Sequence, residues 1–139
     1  MSQKFFEAIA AGTVEPPECA KTLGLTIIGH DLEAHTVELE FDGKPAFANP
    51  IGIVQGGFLC AMLDDCMGLA SATVLAMGEF APTLALNVQF HRPAKIGRLR
   101  GIGRVTKTGK DIFHLAGELF QDDKLIASAT ATSMVRKIG

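Results

Sequence analysis

Residues 49–77 read NPIGIVQGGFLCAMLDDCMGLASATVLAM, and this stretch decides the fold. From Phe58 onward it stays apolar through about five helical turns, apart from Asp64, Asp65 and two hydroxyl residues. A helix that is apolar nearly all round is buried. A membrane span is disfavoured because two adjacent aspartates at its centre would each cost roughly 2.5–3.5 kcal/mol in a bilayer. The sequence therefore predicts one long helix buried in a protein core.

The segments on either side of this helix have the patterns of strands. Residues 36–41 and 83–91 alternate polar and apolar side chains, as half-buried antiparallel strands do. Further strand-like runs cover residues 23–30, 99–106, 112–120 and 125–136, and a short helix over residues 2–11 precedes them. A single apolar helix needs a sheet to cover it. We predict an α+β fold in which a curved antiparallel sheet wraps around one long central helix.

The composition restricts the class of protein. A chain of 139 residues, 47% of them hydrophobic, predicts a single domain over residues 1–139. Its 13 basic and 15 acidic residues exclude the strongly basic surface that nucleic-acid binding needs. Three scattered cysteines and four dispersed histidines have neither disulfide nor metal-ligand spacing. With no signal peptide visible, we expect a cytoplasmic protein without metal, cofactor, nucleic-acid or membrane partner.

Asp64 is the helix residue that folding does not explain. An ionised carboxylate in an apolar setting is costly unless it is paired or hydrogen-bonded, and the helix contains no basic residue. We predict that Asp64 acts as a general base or nucleophile, with a local backbone hydrogen bond as the structural alternative. For Asp65, about 100° further round, a satisfied structural or interface carboxylate is the stronger interpretation and substrate contact the functional one. Asp64 shares its helix face with small residues, namely Gly57, Cys60, Ala61, Gly68 and Ser71.

Gly56 and Gly57 open the helix. The first N–H groups of a helix have no intrahelical acceptor, and they lie at the positive end of the helix dipole. Such groups can hold the oxyanion that develops during acyl transfer. A tight turn is the alternative explanation for a Gly-Gly pair. Together with a carboxylate further along the same helix, the pair predicts a site for acyl transfer.

At these residues the sequence resembles the hotdog-fold acyl-CoA thioesterases, specifically the phenylacetic acid degradation (PaaI-like) group. The pattern of that group is roughly Asn-x-x-Gly-x-x-His-Gly-Gly, followed by an Asp or Glu on the central helix. Here residues 49–57 read NPIGIVQGG, and Asp64 follows at the matching spacing. Residues 83–95, TLALNVQFHRPAK, are similar to the third strand of the group and its Pro-Ala turn. The resemblance extends from about residue 23 to residue 136 and implies a hotdog fold.

The resemblance also implies roles for individual residues. Members of the group form homodimers or tetramers whose active sites lie at the dimer interface. The Gly56 N–H would polarise the thioester carbonyl, beside Gly57 in contact with the substrate. Asp64 of the opposing subunit would attack the carbonyl or activate a water molecule. Thr83 would help to place that water, and Asn49 would orient the nucleophile or the substrate.

Gln55 departs from the pattern, because the group usually has a histidine at this position. A glutamine can donate a hydrogen bond but cannot supply a proton at neutral pH. We expect hydrolysis to survive, because the thiolate of coenzyme A is a fairly good leaving group. One alternative is a non-catalytic hotdog protein that binds acyl-CoA or another acyl ligand. Another is an enoyl-CoA hydratase, which would need Asp31 and His35 to handle water.

The expected reaction is hydrolysis of a small aromatic or medium-chain acyl-CoA to the free acid and CoA. The expected partners are the acyl-CoA and a second copy of the chain, in a homodimer or in a dimer of dimers. Basic residues are candidates for contacting the CoA phosphates, and they are Arg92, Lys95, Arg104, Lys107 and Lys110.

Overall fold

The computed structural model describes residues 4–138. Its helices are α1 (Phe5–Ala10), α2 (Glu18–Thr22) and α3 (Gly56–Ala72), with a single 3-10 turn at Pro45–Phe47. Its strands are β1 (Thr26–Asp31), β2 (Thr36–Gly43), β3 (Glu79–Phe80), β4 (Thr83–Phe90), β5 (Gly97–Thr108), β6 (Ile112–Gln121), β7 (Lys124–Met134) and β8 (Arg136–Lys137). Within the described residues no helix is long and apolar enough to cross a membrane.

Six strands form one antiparallel sheet in the order β1-β2-β5-β6-β7-β4, and β3 pairs separately with β8. The strands β5, β6 and β7 follow one another as hairpins. The helix α3 packs on one side of this sheet, and the core lies between the two. The predicted α+β fold, an antiparallel sheet around one long helix, is confirmed.

The core forms as the sequence patterns predict. On β2 the apolar residues Val37, Leu39 and Phe41 are buried, and the polar residues between them are half-buried. The side chains of α3 that face the sheet are buried as well, and they are Leu59, Met62, Leu63, Cys66, Met67 and Ala70. The apolar face of β2 and the bulky face of α3 therefore pack together in one core.

The backbone of α3 approaches β5 directly at two glycines. A Cβ atom on Gly103 would collide with the carbonyl oxygen of Cys66, and one on Gly101 would collide with the Cys66 sulfur. Backbone atoms of a helix cannot move away without displacing the whole helix, because packed interiors leave no free space. The two glycines therefore fix how closely α3 lies against the centre of the sheet.

The first strand begins later than predicted. The sequence pattern predicted a strand over residues 23–30, whereas Leu23 ends the short helix α2, which was not foreseen, and β1 begins at Thr26. Gly24 has φ +64° and reverses the chain direction there. The predicted helix over residues 2–11 is observed as α1, followed by Gly12 at φ +77°. Residues 2 and 3 lie outside the described residues.

A β-bulge determines the direction in which the Thr83 side chain points. Simple alternation places Thr83 opposite to Leu86 and Phe90, but the register of β4 against β7 shifts between Thr83 and Ala85. This β-bulge pairs Thr83 with the buried Ser133, on the same sheet face as Phe90. Thr83 therefore faces the helix rather than the outer side of the sheet.

The last predicted strand is also divided in two. The run over residues 125–136 was expected to be one strand, but it is interrupted at Val135 between β7 and β8. The short strand β8 leaves the main sheet to pair with β3, which the sequence patterns did not indicate. A pairing between two-residue strands carries too little periodicity to be found from sequence.

Replacing Gly103 with alanine is expected to destabilise the protein by about 3 kcal/mol, because the new methyl group forces α3 away from β5. The matched control is Gly68→Ala, at a position where an added Cβ meets nothing within 4 Å. This control should raise the free energy of unfolding by up to about 1 kcal/mol through helix propensity. Urea denaturation measures both, and equal stabilities of the two variants would contradict the close approach.

Candidate active site

Asp64 projects from the middle of α3 towards β4. There the hydroxyl of Thr83 donates a hydrogen bond of 2.7 Å to Oδ1 of Asp64. The Asp64 side chain is half-buried. Within residues 4–138 no other group donates to this carboxylate, so its Oδ2 is available to water or to a carbonyl carbon. The backbone hydrogen bond that was the structural alternative for Asp64 is not observed among these residues.

The helix face around Asp64 consists of small residues, as predicted. Gly57 and Gly68 on this face are exposed, and Cys60 and Ala61 are half-buried. Ser71 is the exception, since it is buried and its hydroxyl donates to the carbonyl of Gly68 at 2.6 Å. The open surface beside the carboxylate is therefore formed largely by backbone, which another molecule can approach closely.

The amino-terminal end of α3 presents free donors. Gln55 is the N-cap residue, and its side chain makes no capping hydrogen bond. Among the described residues, the N–H groups of Gly56 and Gly57 have no acceptor, whereas the next two N–H groups donate to the Gln55 carbonyl. Two backbone donors at the positive end of a helix of 17 residues suit a developing negative charge.

The aromatic ring of Phe90 lies beside these donors. A Cβ on Gly56 would be 3.2 Å from Cζ of Phe90, so the ring is close to the backbone at this position. Phe90 is 53% exposed in the single chain. The sequence patterns placed Phe90 on a strand face and gave no indication that it would reach the end of the helix. No local sequence pattern could have predicted this contact, because it joins the last residue of β4 to the first residue of α3.

Asn49 shapes the loop before the helix. Its side-chain oxygen accepts the N–H groups of Ile51 at 3.0 Å and Ile53 at 3.2 Å. The loop is further held where the Gln55 N–H donates to the carbonyl of Phe47. Asn49 thus has a structural part in presenting the two glycines, in addition to the substrate-orienting role predicted for it. Gln55 is exposed, and its side-chain oxygen would be 3.4 Å from a Cβ on Gly57.

Within one chain the predicted site residues form two separate groups. Asp64 and Thr83 are in contact, and the loop with Asn49 and Gln55 ends at the glycines. Gly56 and Asp64 are eight residues apart on the helix, which corresponds to about 12 Å along its axis. One thioester carbonyl cannot contact both groups of a single chain, since the reacting atoms must lie about 3 Å from each.

Asp65 lies apart from both groups. Its side chain lines a cavity between α3, α1 and β1, on the side of the helix away from β4. Burial, and secondarily the charge of Asp64, raises the pKa of Asp65 from 3.8 to about 6. Its Oδ2 is buried and has no hydrogen-bond partner among the described residues. Within residues 4–138 of the single chain this oxygen is not satisfied, so the interpretation of Asp65 as a structural or interface carboxylate and its contact with the substrate both stay predictions.

The pair needed for a hydratase is remote from Asp64. Oδ1 of Asp31 accepts the N–H groups of Glu33 and Ala34 in the turn after β1. Nδ1 of His35 lies 3.4 Å from the Thr73 hydroxyl. The strand β1 forms the opposite edge of the sheet from β4. Between residues 4 and 138 there is also no group of three or more His, Cys, Asp or Glu arranged to hold a metal ion.

The candidate phosphate-binding residues lie in different places. Lys95 is next to the Asn49 loop, because its backbone pairs with Ile53. Arg92 donates to the carbonyl of Leu125 at 3.1 Å, and Arg104 pairs with Glu118 at 2.9 Å. Lys107 and Lys110 lie at the end of β5 and in the turn after it. Since β5 begins next to Lys95, they are roughly 30 Å from the loop.

Comparison with known proteins identifies the family. The sequence profile of the thioesterase superfamily matches residues 51–128, which is more than half of the chain. A search of curated proteins gave no match. Among solved structures, a phenylacetic acid degradation-related protein of Ralstonia eutropha JMP134 is 44% identical with a TM-score of 0.91, covering 94% of this chain and 98% of that one.

More distant structures share the fold. The PaaI protein from the phenylacetic acid degradation operon of E. coli is 24% identical with a TM-score of 0.81, over 96% of this chain and 94% of that one. A thioesterase of Haemophilus influenzae is 19% identical with a TM-score of 0.81, over 96% and 91% of the two chains. The sheet order, the central helix and these similarities agree. The chain therefore belongs to the thioesterase superfamily, as a hotdog-fold thioester hydrolase of the phenylacetic acid degradation (PaaI-like) group.

Proposed function

We propose that the protein hydrolyses a small aromatic or medium-chain acyl-CoA to the free acid and coenzyme A. The observation that carries this proposal is the 2.7 Å hydrogen bond from Thr83 to Asp64. It orients a carboxylate on an otherwise apolar helix and leaves the second oxygen free for chemistry. A carboxylate so held can act on a thioester as a nucleophile or as a general base.

As a general base, Asp64 takes a proton from water while the water oxygen bonds to the thioester carbon. The carbonyl oxygen becomes an oxyanion, which the N–H groups of Gly56 and Gly57 stabilise. When the oxyanion collapses, the carbon–sulfur bond breaks and the thiolate of coenzyme A leaves. As a nucleophile, Asp64 would form a mixed anhydride, which water then hydrolyses. Both routes need the same two groups of residues on one carbonyl.

We propose that a homodimer supplies these two groups. The strand β4 is an edge strand, so its outer backbone groups are unpaired within the described residues. Its apolar residues Leu84, Leu86 and Phe90 are 57%, 38% and 53% exposed. An exposed, apolar edge strand is a template for pairing with a second chain. The second copy of this chain is the partner that also explains the divided site.

The two ends of β4 carry the two halves of the site. Thr83 at its start holds Asp64, and Phe90 at its end touches Gly56. If two copies of β4 pair antiparallel about their midpoint, Thr83 of one chain lies opposite the end of β4 in the other. Asp64 would then meet the helix start of the partner subunit, twice in each dimer, as isologous symmetry requires. That this arrangement would bring both groups of residues to one carbonyl supports the dimer. A further assembly into a dimer of dimers stays a prediction.

Lys95 is the strongest candidate for contacting the phosphates of coenzyme A. It is exposed and adjacent to the loop that ends at Gly56. The guanidinium of Arg104 is already paired with Glu118. A mobile ammonium near the rim of a site attracts phosphate as a point charge.

We also propose that residues 1–139 act as one domain in the cytoplasm, without a metal or a cofactor. One hydrophobic core contains residues from Phe6 near one end of the chain to Ala131 near the other. Cys19, Cys60 and Cys66 are free thiols, as expected where glutathione keeps thiols reduced. Hydrolysis by a carboxylate and backbone donors requires no further group.

Replacing Asp64 with asparagine should lower kcat by about 10³-fold or more, because the amide can neither accept the proton nor attack. Thr83→Val should lower kcat by about tenfold or more, since it frees the carboxylate but keeps the shape of the side chain. Thr83→Ser keeps the hydroxyl and is the matched control. Thiol release from an acyl-CoA gives the rates, and a fully active Asp64→Asn variant would refute the assignment.

The oxyanion role of Gly56 can be tested by removing only its N–H. Proline is tolerated at the first position of a helix and lacks this donor, so Gly56→Pro should lower kcat by about 10²–10³-fold. Gly56→Ala adds similar crowding against Phe90 but keeps the N–H, so it should retain clearly more activity than the proline variant. Equal loss in both variants would mean that crowding, and not the donor, matters.

Mixing Asp64→Asn with Gly56→Pro tests the divided site. After dissociation and reassembly, half of the dimers are mixed, and each mixed dimer has one intact site. The mixture should regain about one quarter of the wild-type activity, although each variant alone is inactive. Native mass spectrometry confirms the mixed dimers. Mixed dimers without recovered activity would place the whole site within one chain.

Because Gln55 stands where the group usually has a histidine, a protein that binds acyl-CoA without hydrolysing it is the alternative function. A panel of acyl-CoA substrates decides between the two functions. The wild-type protein should release thiol from at least one small aromatic or medium-chain substrate. Gln55→His should raise kcat if protonation of the leaving thiolate limits the rate, and should leave it unchanged otherwise. Binding of acyl-CoA without turnover by the wild type would establish the binding protein instead.

A further inference from the structure

A cavity of about 660 Å³ reaches α3 directly after Asp64. Its wall on this helix is formed by Asp65, Gly68, Leu69 and Ala72. The other walls come from α1, the loop between α1 and α2, α2 itself and β1. A group bound at Asp64 therefore has this cavity as its neighbour, and the volume is typical of pockets for small molecules.

Gly68 leaves the way from Asp64 into this cavity open. It is exposed, and a Cβ atom added to it would meet nothing within 4 Å. Residues four apart are neighbours on a helix surface, so a long side chain here would stand between Asp64 and the cavity. Helix stability does not explain the glycine, because alanine is the better helix former. The missing side chain instead suits the passage of a ligand.

Most of the cavity wall is apolar. The side chains that form it belong to different elements and include Phe5, Ile9, Val14, Leu25 and Ile27. A cavity of this kind favours a hydrocarbon occupant, because burial removes apolar surface from water.

The polar groups of the wall do not require a polar ligand. Glu15, Lys21 and His30 are exposed to solvent, and Lys21 is paired with Glu15 at 3.5 Å. Oδ2 of Asp65 is buried and does not open into the cavity. Filling the cavity with hydrocarbon therefore costs that oxygen no further contact with water.

We propose that this cavity receives the acyl chain of the substrate, that the substrates are unbranched medium-chain acyl-CoAs, and that Gly68 determines the chain length. The proposal rests on the proposed thioesterase function, since it places the thioester carbonyl at Asp64. From there the chain passes Gly68, and its end lies among the apolar residues of α1 and β1.

Length separates a straight chain from an aromatic acyl group. From Asp64 to Ala72, the last α3 residue that lines the cavity, the helix rises by about 12 Å. Spanning this distance takes roughly eight to ten carbons, since each carbon–carbon bond is about 1.5 Å long and successive bonds zigzag. A single aromatic ring next to the carbonyl would leave much of the cavity unfilled. Each methylene removed from water should tighten binding by about three- to fourfold.

The first test compares straight-chain acyl-CoAs of four to ten carbons with phenylacetyl-CoA on the wild-type protein. The value of kcat/KM, measured by thiol release, should rise with chain length. It should be at least tenfold higher for decanoyl-CoA than for butyryl-CoA or phenylacetyl-CoA. Hydrolysis of either of these two as efficient as that of decanoyl-CoA would overturn the proposal and leave the proposed function standing.

A side chain at Gly68 should close the passage. Gly68→Leu should lower the ratio of kcat/KM for decanoyl-CoA to that for butyryl-CoA by at least tenfold. Gly68→Ala is the matched control, because it adds one methyl group where nothing lies within 4 Å, and it should keep this ratio within about threefold. Alanine and leucine both favour a helix over glycine, so both variants should fold. An unchanged ratio in Gly68→Leu would refute the passage.

A second variant narrows the cavity from a wall outside α3. Val14 lines the cavity from the loop between α1 and α2, and Val14→Phe should lower the same ratio by at least threefold. A ratio lowered by Gly68→Leu alone would place the chain on the helix surface outside the cavity, and would overturn the proposal.

Binding separates a failure of this proposal from a failure of the proposed function. If the wild-type protein hydrolyses none of these acyl-CoAs, the proposed function fails. Isothermal titration calorimetry on Asp64→Asn, which should bind without turnover, then tests the cavity by itself. Decanoyl-CoA should bind at least tenfold more tightly than butyryl-CoA, and adding Gly68→Leu should remove this preference. Equal affinities of Asp64→Asn for the two compounds would overturn the proposal whether or not the wild type is active.

Discussion

The direct contact between the backbone of α3 and the glycines of β5 determines the rest of the structure. Any side chain at Gly101 or Gly103 would push against Cys66 and lift the helix from the sheet. With the helix held this close, its rotation is fixed by the bulky residues that fill the core on either side. The side chains of the two adjacent aspartates therefore point in fixed and different directions. Asp64 faces β4, and Asp65 faces the space under α1 and β1.

This fixed rotation gives two neighbouring carboxylates different chemistry. Asp64 receives a hydrogen bond from Thr83 and keeps part of its side chain exposed. Burial, and secondarily the charge of Asp64, raises the pKa of Asp65, whose Oδ2 finds no hydrogen-bond partner within residues 4–138. A carboxylate that is held and accessible is suited to catalysis, whereas burial disfavours the ionised form of its neighbour. The difference follows from a rotation of about 100° per residue along one helix.

The edge strand β4 connects the helix to the proposed assembly. It touches α3 at both ends of its length, through Thr83 at Asp64 and through Phe90 at Gly56. Because these contacts are separated by the whole strand, one chain holds the parts of the site but cannot bring them together. The proposed symmetric pairing of the exposed edge would bring the two groups together across the two chains. The exposed apolar residues of β4 would form the interface of this proposed dimer.

The sequence by itself determined the long buried helix and the antiparallel strands, and it predicted roles for Asp64 and the Gly56-Gly57 pair, because periodicity and a charge in an apolar helix are local signals. It also identified the family, since residues 49–57 and Asp64 match a known pattern. Other features are decided only by tertiary structure. The bulge in β4 places Thr83 beside Asp64, and the short helix α2 followed by Gly24 delays the start of β1. The cavity at Asp65 and the contact of Phe90 with Gly56 join segments far apart in the chain. No local pattern encodes such contacts, because they depend on how closely a helix and a sheet approach one another.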